Sequence, residues 1–296
     1  MAAPMTLSVG DVQISRIEEL YGPTFPIDTL LPSFDAGGVE HLPVAKREQF
    51  VQQSDQFAKM SIHAWMIRTP SGKVILVDTC NGNHKKRAME GFGDLDLPWL
   101  DTLAAAGVTP DQVTDVVCTH LHLDHVGWNT MLVDGEWVPT FPNATVHMNQ
   151  VEFDFWNPAN VPAGLEFNGG VFEDSVQPCF DRGQVNLWNG DGLDVDDTLH
   201  LQMATGHTPG QCIGVLESKG ERAVFAGDTM HSPYQVYHPE WFCGFDLVPA
   251  EAEATRRKVL ELCVEKNAIL MPAHFSAPHA YRVSAEGNAF SVSNAL

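Results

Sequence analysis

The chain has 296 residues, 44% of them hydrophobic, enough to bury a sizeable core in one large domain or two modest ones. Thirty-eight Asp and Glu stand against 17 Lys and Arg, a formal charge of −21, and the acids are scattered rather than gathered in a tail. Such a surface repels a phosphate backbone, which excludes nucleic acid as the expected partner and leaves solubility or salt adaptation as the plainest reading of the charge.

The six cysteines include no C-x-x-C pair and mostly sit in apolar surroundings, as free buried thiols do. The opening "MAAPMTLSVGDVQ" has neither a basic nor an apolar leader region, and no segment approaches the roughly 18 apolar residues of a membrane span. The expected location is the cytoplasm, with no membrane partner.

In chain order, "TLSVGDVQISRIEEL" alternates apolar and polar residues about a Gly-Asp turn and predicts a hairpin. Residues 21–60, with four prolines and Phe25, Phe34, Phe50 and Phe57, read as an irregular insertion lying over another part of the fold. "SIHAWMIRTPSGKVILVDTC" predicts a second hairpin, and its apolar "VILV" a central strand. A helix is expected after Asp96, stopped by Gly107. Strands follow at "VVCTH", "ATVHMN", "LHLQMAT", "CIGVLES" and "RAVFAGD", then a helix "AEATRRKVLELCVEK" and the strand "AILMP". Hairpins mixed with strand–helix alternation predict an α/β (α+β) protein of mixed sheets covered by helices, one domain spanning 1–296.

"CTHLHLDHVGWN" carries three histidines and an aspartate within six positions. In an extended segment residues two apart share a face, so His120 and His122 can aim at one point, and a tight loop brings Asp124 and His125 to a second. Mixed imidazole and carboxylate donors suit zinc, iron, manganese or cobalt better than calcium or magnesium. Three strand exits downstream each hold one polar residue beside Gly or Pro: His207 in "GHTPGQ", Asp228 in "FAGDT" and His274 in "MPAHF".

With "THLHLDH", "GHTPG", "GDT" and "PAH" in this order along residues 60–280, the chain resembles the metallo-β-lactamase-fold hydrolases. The resemblance implies an αββα sandwich of two mixed sheets holding two divalent ions, zinc first among them. His120, His122 and His207 would hold one ion, Asp124, His125 and His274 the other, and Asp228 would bridge. Asp78 of "VDT" corresponds to an aspartate that orients a ligand histidine. A bridging Asp228 points away from true β-lactamases, the acidic surface from the ribonucleases, and the lack of a basic C-terminal helical domain from glyoxalase II. What remains is a lactonase or esterase acting on a small lactone or carboxylic ester, with organophosphate triesters as the near alternative. An iron persulfide dioxygenase is the alternative of another class. Asp124, Asp228 and His231 lie nearest the expected chemistry; lactonases of the family place a tyrosine where His231 falls, and a histidine there resembles the methyl-parathion-hydrolase-like branch. Tyr234 is a second donor, and Trp128, with the aromatics of "VEFDFW" and of the insertion, could wall an apolar pocket or, for the insertion, pack in a homodimer.

Overall fold

Thr6–Val9 and Val12–Pro26 pair antiparallel about Gly10 and Asp11, and their alternation turns Val9, Val12, Ile14 and Ile17 inward. The computed structural model describes residues 5–52, 54 and 56–296. The first four residues, where no leader is expected, and Gln53 and Asp55 of the 21–60 segment lie outside them. The chain divides into two compact units: residues up to Glu19 with Ile62–Thr198, and Leu20–Ser61 with Leu199–Leu296. The division falls inside two long strands, Val12–Pro26 and Phe57–Arg68.

In the first unit the sheet runs in the order Thr6–Val9, Val12–Pro26, Phe57–Arg68, Val74–Val77, Asp115–Val117, Thr145–Asn149, Val185–Trp188. "VILV" is central as expected, antiparallel to Phe57–Arg68 (Trp65 opposite Val77) and parallel to Asp115–Val117 (Val77 opposite Val117). The strand expected to run on through "CTH" stops at Val117, so the metal-motif histidines lie in the loop beyond it rather than on an extended face. The helix expected after Asp96 starts at Trp99, because Pro98 occupies its cap, and it runs to Ala105; Gly107 lies two residues on, past the Ala106 cap, with a φ of +79° that glycine adopts without strain.

The second unit carries the strands Leu199–Met203, Cys212–Ser218, Glu221–Gly227, Ile269–Pro272, Tyr281–Glu286 and Ala289–Asn294, neighbours in that order. The helix Pro249–Glu265 buries Ala252, Arg256, Val259, Leu260 and Cys263, one stripe of its surface. Residues 21–60 are less irregular than their prolines suggest. Pro26 and Pro43 stand just ahead of the helices Ile27–Leu30 and Val44–Phe50, where a missing N–H leaves no bond unmade. Leu30, Leu31 and Phe50 from this segment join one apolar cluster with Tyr234, Trp241 and Leu260. All six cysteines are buried free thiols, and among the described residues no helix is long and apolar enough to cross a membrane.

One buried cation anchors the loops of the first unit. Lys85 Nζ donates to Thr130 Oγ1 (2.8 Å) and to the Asp174 carbonyl (3.2 Å), and lies 3.7 Å from the Trp137 ring centre. Arg87 adds a two-pronged pair to the Asp174 carboxylate at 2.7 Å each. Burial lowers the Lys85 ammonium to about 8, Asp174 only partly offsetting it. Below pH 8 it is charged in both folded and unfolded chain, and its desolvation weighs on stability; between 8 and its ordinary value only the unfolded chain keeps the proton, so stability rises with pH. Against Lys85→Met, which cannot titrate, the native protein is expected to gain about 2 kcal/mol from pH 7 to pH 9.5 in denaturant melts. A constant difference across that range contradicts the assignment.

Candidate functional site

Four motif residues of the first unit follow the end of Asp115–Val117, and the loop carrying them is held from beneath. The Asp78 carboxylate accepts from the Thr119 N–H (2.8 Å) with one oxygen, and from the Thr119 hydroxyl (2.8 Å) and His125 Nδ1 (2.9 Å) with the other. Thr119 has spent its hydroxyl hydrogen on Asp78, so toward His120 Nδ1 at 3.1 Å it can only accept. One buried aspartate thus fixes two imidazoles with Nδ1 protonated and Nε2 turned outward. The rings of His120 and His122 lie 4.5 Å apart, those of His120 and His125 4.1 Å, and Asp124 Oδ1 is 3.6 Å from His125 Nε2.

Other residues brace the loop that the sequence did not point to. Leu121, between two histidines, donates its N–H to Glu152 (3.1 Å), and its carbonyl accepts from Asn168 Nδ2 (2.9 Å). Glu19 accepts from Asn81 N–H (2.9 Å), Asn81 Nδ2 (2.8 Å), Gly82 N–H (3.0 Å) and Trp128 Nε1 (2.7 Å). Burial raises Glu19 in spite of these donors. Gly127 is required where the two loops meet: its N–H reaches Cys80 O at 2.7 Å, and a Cβ would stand 1.8 Å from Asn81 O. Trp128, read from sequence as a pocket wall, is buried and stacks on Trp99 at 5.3 Å, because its indole N–H is drawn inward by Glu19. The aromatic rings beside His122 are Trp156 (5.2 Å) and Phe167 (5.3 Å). Trp156 also lines a cavity of about 270 Å³ with Val161, Leu165 and Phe172.

The second unit brings together His207, Asp228, His231 and His274. Glu221–Gly227 and Ile269–Pro272 are parallel neighbours, Gly227 opposite Pro272, so their exits set Asp228 and His274 side by side. His274 Nε2 lies 3.0 and 3.2 Å from the two Asp228 oxygens, and its Nδ1 donates to Ser61 O at 3.0 Å. His207 Nε2 lies 3.5 Å from Asp228 Oδ2, and its Nδ1 donates to Asp246 at 2.9 Å. Gly206, at φ +126°, lets this loop lie on the start of the helix Pro249–Glu265, where a Cβ would meet Ala252 N at 2.2 Å. Burial pushes Asp246 up, but its hydrogen bond to His207 and the charges of His207, His231 and Arg256 outweigh this and hold it below the usual carboxylate range. His231 Nε2 is 3.0 Å from Asp228 Oδ2; burial lowers its ionisation, Asp228 opposing. Tyr234 packs among Phe34, Phe50 and Trp241, its hydroxyl pushed up to about 12 by burial.

In His120, His125, His207 and His274 alike, Nδ1 is held by an oxygen and Nε2 is the nitrogen presented. Imidazoles and carboxylates so arranged fit divalent zinc-type cations. Asp78→Ala would leave the Thr119 N–H, the Thr119 hydroxyl and His125 Nδ1 without their acceptor inside the protein. Metal-free protein carrying it is expected to lose about 3 kcal/mol or more in denaturant melts; a loss under about 1 kcal/mol would show that Asp78 does not organise the loop.

The metallo-beta-lactamase superfamily model matches residues 59–274. Over 119 residues the chain is 32% identical to the N-acyl homoserine lactonase AttM of Rhizobium radiobacter, a match covering 40% of this chain and 41% of that one. The chain thus spans about two-fifths of the length of the curated relatives it matches. Among solved structures, the hydrolase AbOPH of the beta lactamase superfamily superposes with a TM-score of 0.79 at 25% identity over 99% of this chain and 97% of that one. AidC, a dizinc quorum-quenching lactonase in complex with a product, gives 0.76 at 20% identity over 99% and 98%. The matched span takes in both histidine–aspartate sets, and the chain belongs to the metallo-beta-lactamase superfamily.

Proposed function

We propose that the protein is a dinuclear metal-dependent hydrolase that opens a small lactone or cleaves a small carboxylic ester. In this reading His120, His122 and His207 hold one cation, Asp124, His125 and His274 the second, and Asp228 serves both. The observation that carries it is the shared orientation of four imidazoles, each held at Nδ1 so that Nε2 is the donor. The relatives named as lactonases support the choice of substrate.

Divalent ions bound there supply Lewis acidity for a carbonyl oxygen and bring the ionisation of water toward neutral pH. The chain's own part is to keep the donors fixed. Asp228 offers both carboxylate oxygens, one face shared with His274 and Oδ2 with His207 and His231. His231, whose charged form burial disfavours while Asp228 opposes, serves as a hydrogen-bond donor, to Asp228 in the resting protein and to the leaving alkoxide in turnover. Trp156 and Phe167, edge-on to His122 and next to the cavity that Trp156 lines, favour an apolar acyl group on the substrate. Zinc is the metal of this proposal, and the cytoplasm, where free thiols stay reduced, its location. A homodimer belongs to the same expectation, and sedimentation reads it directly.

Protein reconstituted with zinc, manganese or iron is to be assayed for metal content and for turnover of N-acyl lactones, aryl esters and phosphotriesters. Two metals per chain with lactone or ester turnover are expected. His122→Ala and Asp228→Ala should each lower turnover by orders of magnitude and reduce bound metal. Phosphotriester turnover alone moves the substrate to organophosphates, and a single iron with oxygen uptake and no hydrolysis overturns the reading for a dioxygenase.

A further inference from the structure

One side chain in the second unit touches the hydrogen-bond lines that lead to His207, to the peptide beside Asp228 and to His231. Arg256 projects from the helix Pro249–Glu265 and is fully buried, an expensive place for a guanidinium unless its donors are used. They are used. Nη2 faces Asp246 Oδ2 at 3.3 Å, and the other oxygen of that carboxylate takes the His207 Nδ1 hydrogen at 2.9 Å. Nε donates to Thr229 O at 2.9 Å, the peptide next to Asp228. Nη1 donates to Pro239 O (2.7 Å) and Trp241 O (3.0 Å). Trp241 O also accepts from Gln235 Nε2 (2.9 Å), whose amide oxygen takes the His231 N–H at 2.6 Å.

We infer that Arg256 is the common positioning residue for His207, Asp228 and His231, acting through Asp246, the Thr229 carbonyl and Gln235. The inference rests on the metallohydrolase reading for its consequence, though not for its geometry. Only a planar group with donors on three edges can meet a carboxylate and three carbonyls at once; a lysine ammonium offers three donors from a single point and cannot span them. Asp246 would then do for His207 what Asp78 does for His125, with Arg256 fixing Asp246 in turn.

The test uses Arg256→Lys, Arg256→Met and Asp246→Asn in the full chain. In metal-free protein, long-range ¹H–¹⁵N spectra read the His207 tautomer: Nδ1-protonated in the native chain, mixed or reversed in the variants. Zinc affinity, by competition with a chelator, should fall 10- to 100-fold at one of the two sites. Lys85→Met, which removes a buried cation from the other unit, controls for lost stability and should leave the His207 tautomer as it is. Should Arg256→Met not fold, Arg256→Lys and Asp246→Asn carry the same readouts. An unchanged tautomer together with zinc affinity within twofold of native would reduce Arg256 to a structural anchor and overturn the inference. A native chain that binds no divalent metal would overturn the hydrolase reading instead, and the tautomer would still decide the role of Arg256.

Discussion

An imidazole offers a cation only one of its two nitrogens, and the group that holds the other decides which. The bracing of both histidine sets follows from that constraint. Asp78 settles it for His120, through the Thr119 hydroxyl, and for His125 directly. Asp246 settles it for His207, and the Ser61 carbonyl for His274. Each of these acceptors is buried, where a hydrogen bond is strong and an unmade one is costly. The orientation of the donors is therefore built into the folded chain.

The scaffold supplies positions that these bonds then refine. Parallel neighbouring strands release Asp228 and His274 at adjacent exits, and a short strand ending at Val117 releases the histidine loop. Gly127 and Gly206 stand where two backbones come closer than any Cβ allows. Part of the chain's acidity belongs to this architecture rather than to solvation. Glu19, Asp78, Glu152, Asp228 and Asp246 all point at histidines or at the loops that carry them.

The two mixed sheets and most strands were legible in the sequence, because apolar runs and Gly or Pro punctuation are local signals. So were the residues at strand exits, since a lone polar group after a buried strand stands out. The bracing shell was not. Glu19 acts on Trp128 across 109 positions and Glu152 on Leu121 across 31, and no spacing rule links such pairs. Arg256 sits in a helical stripe that reads as charged surface from composition, yet its whole side chain is inside. Trp128 shows the converse: an aromatic beside a metal motif looks like a pocket wall until its indole hydrogen is traced to a buried carboxylate. The segment 21–60 misled for a simpler reason, as prolines ahead of helix starts look the same in sequence as prolines in a loop.

In the proposed function, histidines and aspartates from both sets hold two divalent ions. Anomalous diffraction at the zinc edge from crystals of zinc-loaded protein addresses it most directly. Two peaks per chain are expected, one against Nε2 of His120 and His207, the other against His125 and His274, with Asp228 touching both. A single peak, or peaks elsewhere on the acidic surface with none at these residues, would contradict it.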